Sequence, residues 1–121
     1  MKHRTRIKIC GITRPEDAEA AAHYGADAIG MVFHPGSTRA IETAHAREIV
    51  SAVPPFVSTV ALVVDATRDE VGRIIDAVRP SFIQFHGNET PEFCAQFGVP
   101  YLRAVRMGEP GKTVDLIKCR R

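Results

Sequence analysis

Short apolar runs alternate with longer amphipathic stretches along the chain. The runs at 6–10, 28–33, 58–64, 82–85 and 101–105 have strand length, and the second and third are rich in Val and Ile. Between them, residues 15–24, 43–53, 68–78 and 91–97 carry helical spacing. Strands recur at intervals of about 24 residues, the length of a strand–loop–helix–loop unit. Strict alternation of strand and helix predicts a parallel sheet with right-handed crossovers.

The helix ends support this reading. Thr13 with Glu16, and Thr67 with Glu70, have the spacing of a capping box, in which a hydroxyl and a carboxylate satisfy each other's backbone N–H. Thr90 before Pro91 places a cap ahead of a proline at the first helical position. Gly25 and Gly98 follow the first and fourth helices, where a left-handed residue ends a helix.

Two architectures share the pattern. An open, doubly wound five-stranded sheet fits the 121 residues directly. An eight-stranded barrel needs roughly 200 residues or more, so this chain supplies only four βα units and a fifth strand. Length favours the open sheet, and the residues at the strand ends favour the barrel. In both folds function gathers at the C-terminal ends of the strands.

Composition narrows the classes. With 45% hydrophobic and 25% charged residues the chain is that of a folded domain, which excludes disorder and coiled coil. A net charge of +2 predicts no nucleic-acid or anionic-membrane partner, and the basic ends, 2–8 and 118–121, are expected to be solvated. No apolar run reaches the roughly 18 residues of a membrane span, and no signal-type core follows the basic N-terminus. Cys10, Cys94 and Cys119 form neither a zinc-type pair nor a disulfide framework. These features together predict a reduced, cytoplasmic protein.

The strand ends carry the chemistry. Strand one ends Lys8-Ile9-Cys10-Gly11, which puts Lys8 and Cys10 on one face about 7 Å apart. A thiolate there is a nucleophile or general base, and a nearby cation favours it. Burial as an inert cysteine is the commoner fate of the residue type. After strand two, a loop running through Ser37-Thr38-Arg39 offers a guanidinium suited to a carboxylate or phosphate, or else a surface arginine. Asp65 ends strand three, either as an acid or base or, by the commoner pattern, as a cap on helix three. Strand four ends Gln84-Phe85-His86-Gly87-Asn88-Glu89. Gln84 and His86 share a face, and histidine is a residue type suited to proton transfer or binding. Strand five ends Val105-Arg106-Met107 without an acidic group.

Four blocks in this order resemble the phosphoribosylanthranilate isomerase family of tryptophan biosynthesis. They are Lys8-Ile9-Cys10-Gly11-Ile12-Thr13, Gly25-Ala26-Asp27-Ala28-Ile29-Gly30, Ser37-Thr38-Arg39 and Gln84-Phe85-His86-Gly87-Asn88-Glu89. The likeness extends to about Met107. It implies the TIM (βα)₈-barrel family, here as a single partial barrel domain over 1–121. It implies the Amadori rearrangement of N-(5-phosphoribosyl)anthranilate to 1-(2-carboxyphenylamino)-1-deoxyribulose 5-phosphate, an aldose–ketose isomerisation needing no cofactor or metal. In the family a general acid opens the ribose ring to a Schiff base, and a general base then removes the C2′ proton. Cys10 matches the base, Arg39 the arginine holding the anthranilate carboxylate, and Gln84 and His86 a strand-four block that supports or binds substrate. The family's acid, an aspartate at the end of strand six, and its phosphate site after strands seven and eight lie beyond the matched blocks. The expectation is therefore a chain that is poorly active alone and that associates with itself or with a C-terminal half.

Two other readings compete. Asp65 sits where a five-stranded phospho-receiver domain carries its phosphoacceptor. Such a site needs acidic residues after strand one for Mg²⁺ and a lysine after strand five, where this chain has Cys10-Gly11 and Arg106. An inactive complementing fragment is the third reading.

Overall fold

A computed structural model describes residues 3–107. In chain order the elements are β1 (Lys8–Ile9), α1 (Pro15–His23), β2 (Ala28–Val32), α2 (Thr43–Ala52), β3 (Ser58–Val63), α3 (Arg68–Val78), β4 (Phe82–Phe85), α4 (Pro91–Ala95) and β5 (Tyr101–Arg103). Cys119 and the basic end 118–121 lie outside the described residues.

Strands pair in parallel and in sequence order, β1-β2-β3-β4-β5. A doubly wound sheet reverses direction at a switch point and carries helices on both faces. Here there is no reversal. Ala18 of α1, Ala46 and Ile49 of α2, Val71, Ile74 and Val78 of α3 and Cys94 of α4 all join one buried cluster. From the strands that cluster takes Ile29, Met31, Ala61, Val63, Ile83 and Phe85, alternate residues that share one face. Among the described residues, sequential order with every helix on one side is the wall of a βα barrel, and it removes the doubly wound sheet and the phospho-receiver reading with it.

All nine expected elements form; β4 and α3 keep their expected bounds and the other seven end short. β1 keeps only Lys8–Ile9 of the expected 6–10, because an edge strand has one partner and the chain turns away at Gly11. The Gly11 and Ile12 N–H groups both donate to the Gly30 carbonyl at 3.0 Å. β5 keeps Tyr101–Arg103 of 101–105 for the same reason. Gly25 and Gly98 have the expected positive φ. The capping box at Thr67 and Glu70 is complete, and Thr90 accepts the Phe93 N–H at 3.1 Å.

The box expected at Thr13 and Glu16 does not form. Pro15 takes the first helical position, which makes Arg14 the N-cap, and no side chain caps that end. Arg14 pairs with Asp17 at 3.1 Å instead, while the Thr13 carbonyl accepts from the His45 ring of α2. That carbonyl, and then Glu48, raise the His45 pKa. The basic N-terminal stretch is not wholly solvated either. Arg4 grips the Asp27 carboxylate, which also accepts the Ile7 N–H at 2.8 Å. These partners, Arg4 first, hold the Asp27 pKa at about 2.

An aromatic group closes the β5 side of the core. Phe85 meets Phe93, Phe97 and Tyr101 at ring-centroid distances of 6.1, 6.2 and 5.8 Å. Such pairs add to plain burial.

Candidate active site

The turn after β1 sets the first functional side chain. Gly11 has φ +81°, a region that other residues avoid. The free thiol of Cys10 is half-buried and lies over bare backbone of β2, where a Cβ added at Gly30 would sit 3.0 Å from Sγ.

The loop after β2 delivers the second. It folds back so that Ala40 bridges to Val32 and the Ile41 N–H donates to the Val32 carbonyl at 2.9 Å. This return carries Arg39 across the end of β1. Its Nη1 donates to the Cys10 carbonyl at 3.1 Å, and a Cβ on Gly11 would stand 2.2 Å from the same nitrogen. Glycine is thus favoured at position 11 by its φ, and a side chain there would also push the flexible Arg39 guanidinium from its place. Arg39 is exposed and makes no ion pair among the described residues, so its remaining N–H groups are open to solvent.

Lys8 and Gln84 occupy the same face, lower down. Lys8, expected as a cation on the face of the thiol, donates its ammonium to the Gln84 Oε1. β1 and β4 are separated by two strands in the sheet, so the contact exists only because the sheet curls and brings the concave ends together. This link forms a floor. Cys10 and His86 each stand two residues further along, on the rim above it. The curl also buries Val60 and Leu62, which face the same concave side.

The third rim residue is His86, whose N–H donates to the Val63 carbonyl at 2.9 Å and whose Nδ1 is buried without a partner. Beside it the ends of β3 and β4 are tied together. Glu89, 7% exposed, accepts the Asp65 N–H and the Gly87 N–H, both at 2.8 Å. Asp65 Oδ1 accepts the Asn88 N–H at 2.8 Å. Asp65 therefore does not cap α3, as its residue type suggested. It has φ +48° and faces the next loop, leaving the cap to Thr67. Sequence reasoning quoted Glu89 but gave it no role. Its one local mark was a carboxylate just ahead of the Thr90 cap, with nothing to name Asp65 as its partner.

Cys10 and Arg39 are thus brought together, Gln84 is joined to Lys8, and His86 stands on the same rim. Cys94 is a separate case: burial raises its thiol pKa and it packs in the core. Among the described residues no group of three or more His, Cys, Asp or Glu side chains is placed to hold a metal, and no helix is long and apolar enough to cross a membrane. The rim offers a thiol to take a proton, a guanidinium for a carboxylate or phosphate and an imidazole with a free ring nitrogen.

Residues 7–118 match the family model for N-(5'-phosphoribosyl)anthranilate (PRA) isomerase. A relative of that name from Pseudomonas aeruginosa is 57% identical over 109 residues, covering 90% of this chain and 51% of its own length. The phosphoribosyl anthranilate isomerase of Thermus thermophilus superposes with a TM-score of 0.83 at 41% identity, over 89% of this chain and 55% of that one. Another solved isomerase holds reduced 1-(o-carboxyphenylamino)-1-deoxyribulose 5-phosphate. It superposes at 0.81 with 38% identity, over 84% of this chain and 54% of its own. The chain spans about half the length of the curated relatives it matches. A consecutive parallel wall with Cys10 and Arg39 together at its rim, and a family match over nearly all of its residues, place the chain in the N-(5'-phosphoribosyl)anthranilate isomerase family.

Proposed function

We propose that these residues supply the N-terminal half of an active site for the rearrangement of N-(5-phosphoribosyl)anthranilate to 1-(2-carboxyphenylamino)-1-deoxyribulose 5-phosphate. The observation that carries the reading is the Arg39 guanidinium lying on the Cys10 carbonyl at the rim. Arg39 holds the anthranilate carboxylate through a charge-assisted pair. That anchor sets the sugar beside Cys10, whose thiolate removes the C2′ proton after the ring has opened. Gln84 and His86 lie on the same side and support or bind substrate, as the matching strand-four block implies. The reaction only moves a proton and a double bond, so substrate and product have the same composition and no redox cofactor enters. Ring opening needs an acid, and the phosphate needs a site. On this reading both belong to the half of the relatives' length that lies beyond the match, and that C-terminal half is the partner. Unpaired Cys10 and Cys94 fit work in the reducing cytoplasm.

The test is turnover of N-(5-phosphoribosyl)anthranilate, followed by its fluorescence. The 121-residue chain is assayed alone and mixed with a separately produced C-terminal half of the Pseudomonas aeruginosa relative. The expected result is turnover in the mixture, little without the second half, and loss of turnover with Cys10→Ala. Equal turnover by Cys10→Ala would overturn the assignment of the base.

A further inference from the structure

We infer that Asp65 and Glu89 form a clasp that positions His86 on the rim. The inference deepens the proposed substrate contact of His86 and rests on that reading for its purpose, though not for its test.

The clasp is built from both loops. Glu89 reaches back to accept the N–H of Gly87, the residue after His86, and across to accept the N–H of Asp65. Asp65 returns the contact by accepting the Asn88 N–H. The His86 N–H is already on the Val63 carbonyl, so the peptides on either side of this residue are fixed from β3 and from Glu89. The ring has no such hold of its own at Nδ1. Its place therefore follows from its backbone, and its backbone from the clasp.

Three features set this arrangement apart from a chance contact. Glu89 is 7% exposed, and an acidic side chain is rarely buried unless its oxygens are matched by donors. Asp65 adopts φ +48°, an uncommon left-handed conformation that Asp tolerates better than most residues and that lets it face Asn88. Gly87 has no room for a side chain, since a Cβ there would stand 2.5 Å from the Asp65 Oδ1. The two carboxylates and the glycine are thus one unit, and each member can be broken separately. Glu89→Gln keeps a single oxygen acceptor and leaves one of the two N–H groups unmatched. Gly87→Ala displaces the Asp65 carboxylate without removing any group. Asp65→Asn retains an oxygen for Asn88 and tolerates the left-handed backbone, so it is the rescuing, conservative change.

The experiment reads the imidazole directly, by nitrogen–proton correlation NMR of the ¹⁵N-histidine chain without substrate. The His86 signals are assigned by their loss in His86→Asn. A single narrow set is expected in the unaltered chain and in Asp65→Asn. Glu89→Gln and Gly87→Ala are each expected to split that set or broaden it beyond detection, while the His45 signals, held by Thr13 and Glu48, stay in place. If Glu89→Gln loses its dispersed amide spectrum, Gly87→Ala decides. Unchanged His86 signals in a folded Gly87→Ala chain would overturn the clasp. No turnover is involved, so a failed assay of the isomerisation leaves this result standing.

Discussion

The two faces of the sheet come from the same strands and differ in everything but backbone. On the helix side Ile29, Met31, Ala61, Val63, Ile83 and Phe85 are buried beneath α1 to α4 without a polar group among them. On the concave side the intervening positions include Lys8, Gly30, Gln84 and Leu102, and Leu102 is 46% exposed. One face is apolar at these positions, while the other combines buried Val32, Val60 and Leu62 with a crossbar, a bare backbone for a thiol and a rim. Alternation along a strand keeps the two tasks one residue apart, so changes on one face should leave the other's property intact.

The sharpest break is a pair of changes with opposite signatures. Phe85→Ala is expected to cost about 3–5 kcal/mol in urea unfolding, since it empties the centre of the aromatic group. Cys10→Ala is expected to leave the unfolding midpoint nearly unchanged and to lower turnover of the complemented chain by about 10²–10⁴-fold, the usual worth of a general base. A destabilised Cys10→Ala chain would erase the division between the faces. Next in size is Arg39→Lys, which keeps the charge and loses the fork. Its KM is expected to rise by about tenfold to a hundredfold, equivalent to about 1.5–3 kcal/mol, with kcat less affected.

A smaller pair tests the helix ends of the stable side. Thr67→Ala is expected to cost about 1 kcal/mol because it removes a formed cap, while Thr13→Ala should stay within about 0.5 kcal/mol. The smallest effect is on acid stability. Asp27 is held near 2 by Arg4 and the Ile7 N–H, below the roughly 3.9 of an unfolded chain. Its contribution is therefore whole above about pH 4 and lost as the pH falls towards 2. Asp27→Asn should flatten that limb of a pH-dependent melting series by a small amount, because the pair is exposed to solvent.

These helix ends show where the sequence is legible. The Thr67 and Glu70 box joins residues three apart, and nothing between them interferes. The same spacing at Thr13 and Glu16 misleads, because Pro15 fixes where the helix begins. Cys10, Arg39 and His86 are legible as residues at or just after strand ends, and the parallel sheet follows from alternation of βα units, but the order of the strands does not, because an open doubly wound sheet shares that alternation. The partners of the site residues are not legible either. Lys8 finds Gln84 76 residues away, and Glu89 finds Asp65 24 residues away. Such contacts depend on how far the sheet curls and how two loops meet, and no local pattern encodes either.

The consecutive strand order has a consequence for how the chain acquires its shape. Cα partners lie from 18 residues apart, at Ile83 and Tyr101, to 30 apart, at Ala28 and Ser58. Each new strand meets an edge that the preceding unit has just laid down, so loop-closure cost stays small at every step. On a ribosome the wall can grow one hairpin-sized increment at a time behind the emerging chain, beginning at β1. The Lys8–Gln84 crossbar is the exception, since it waits for β4. Its closure marks the moment when a growing ribbon becomes an arc, and the rim residues reach their places only then.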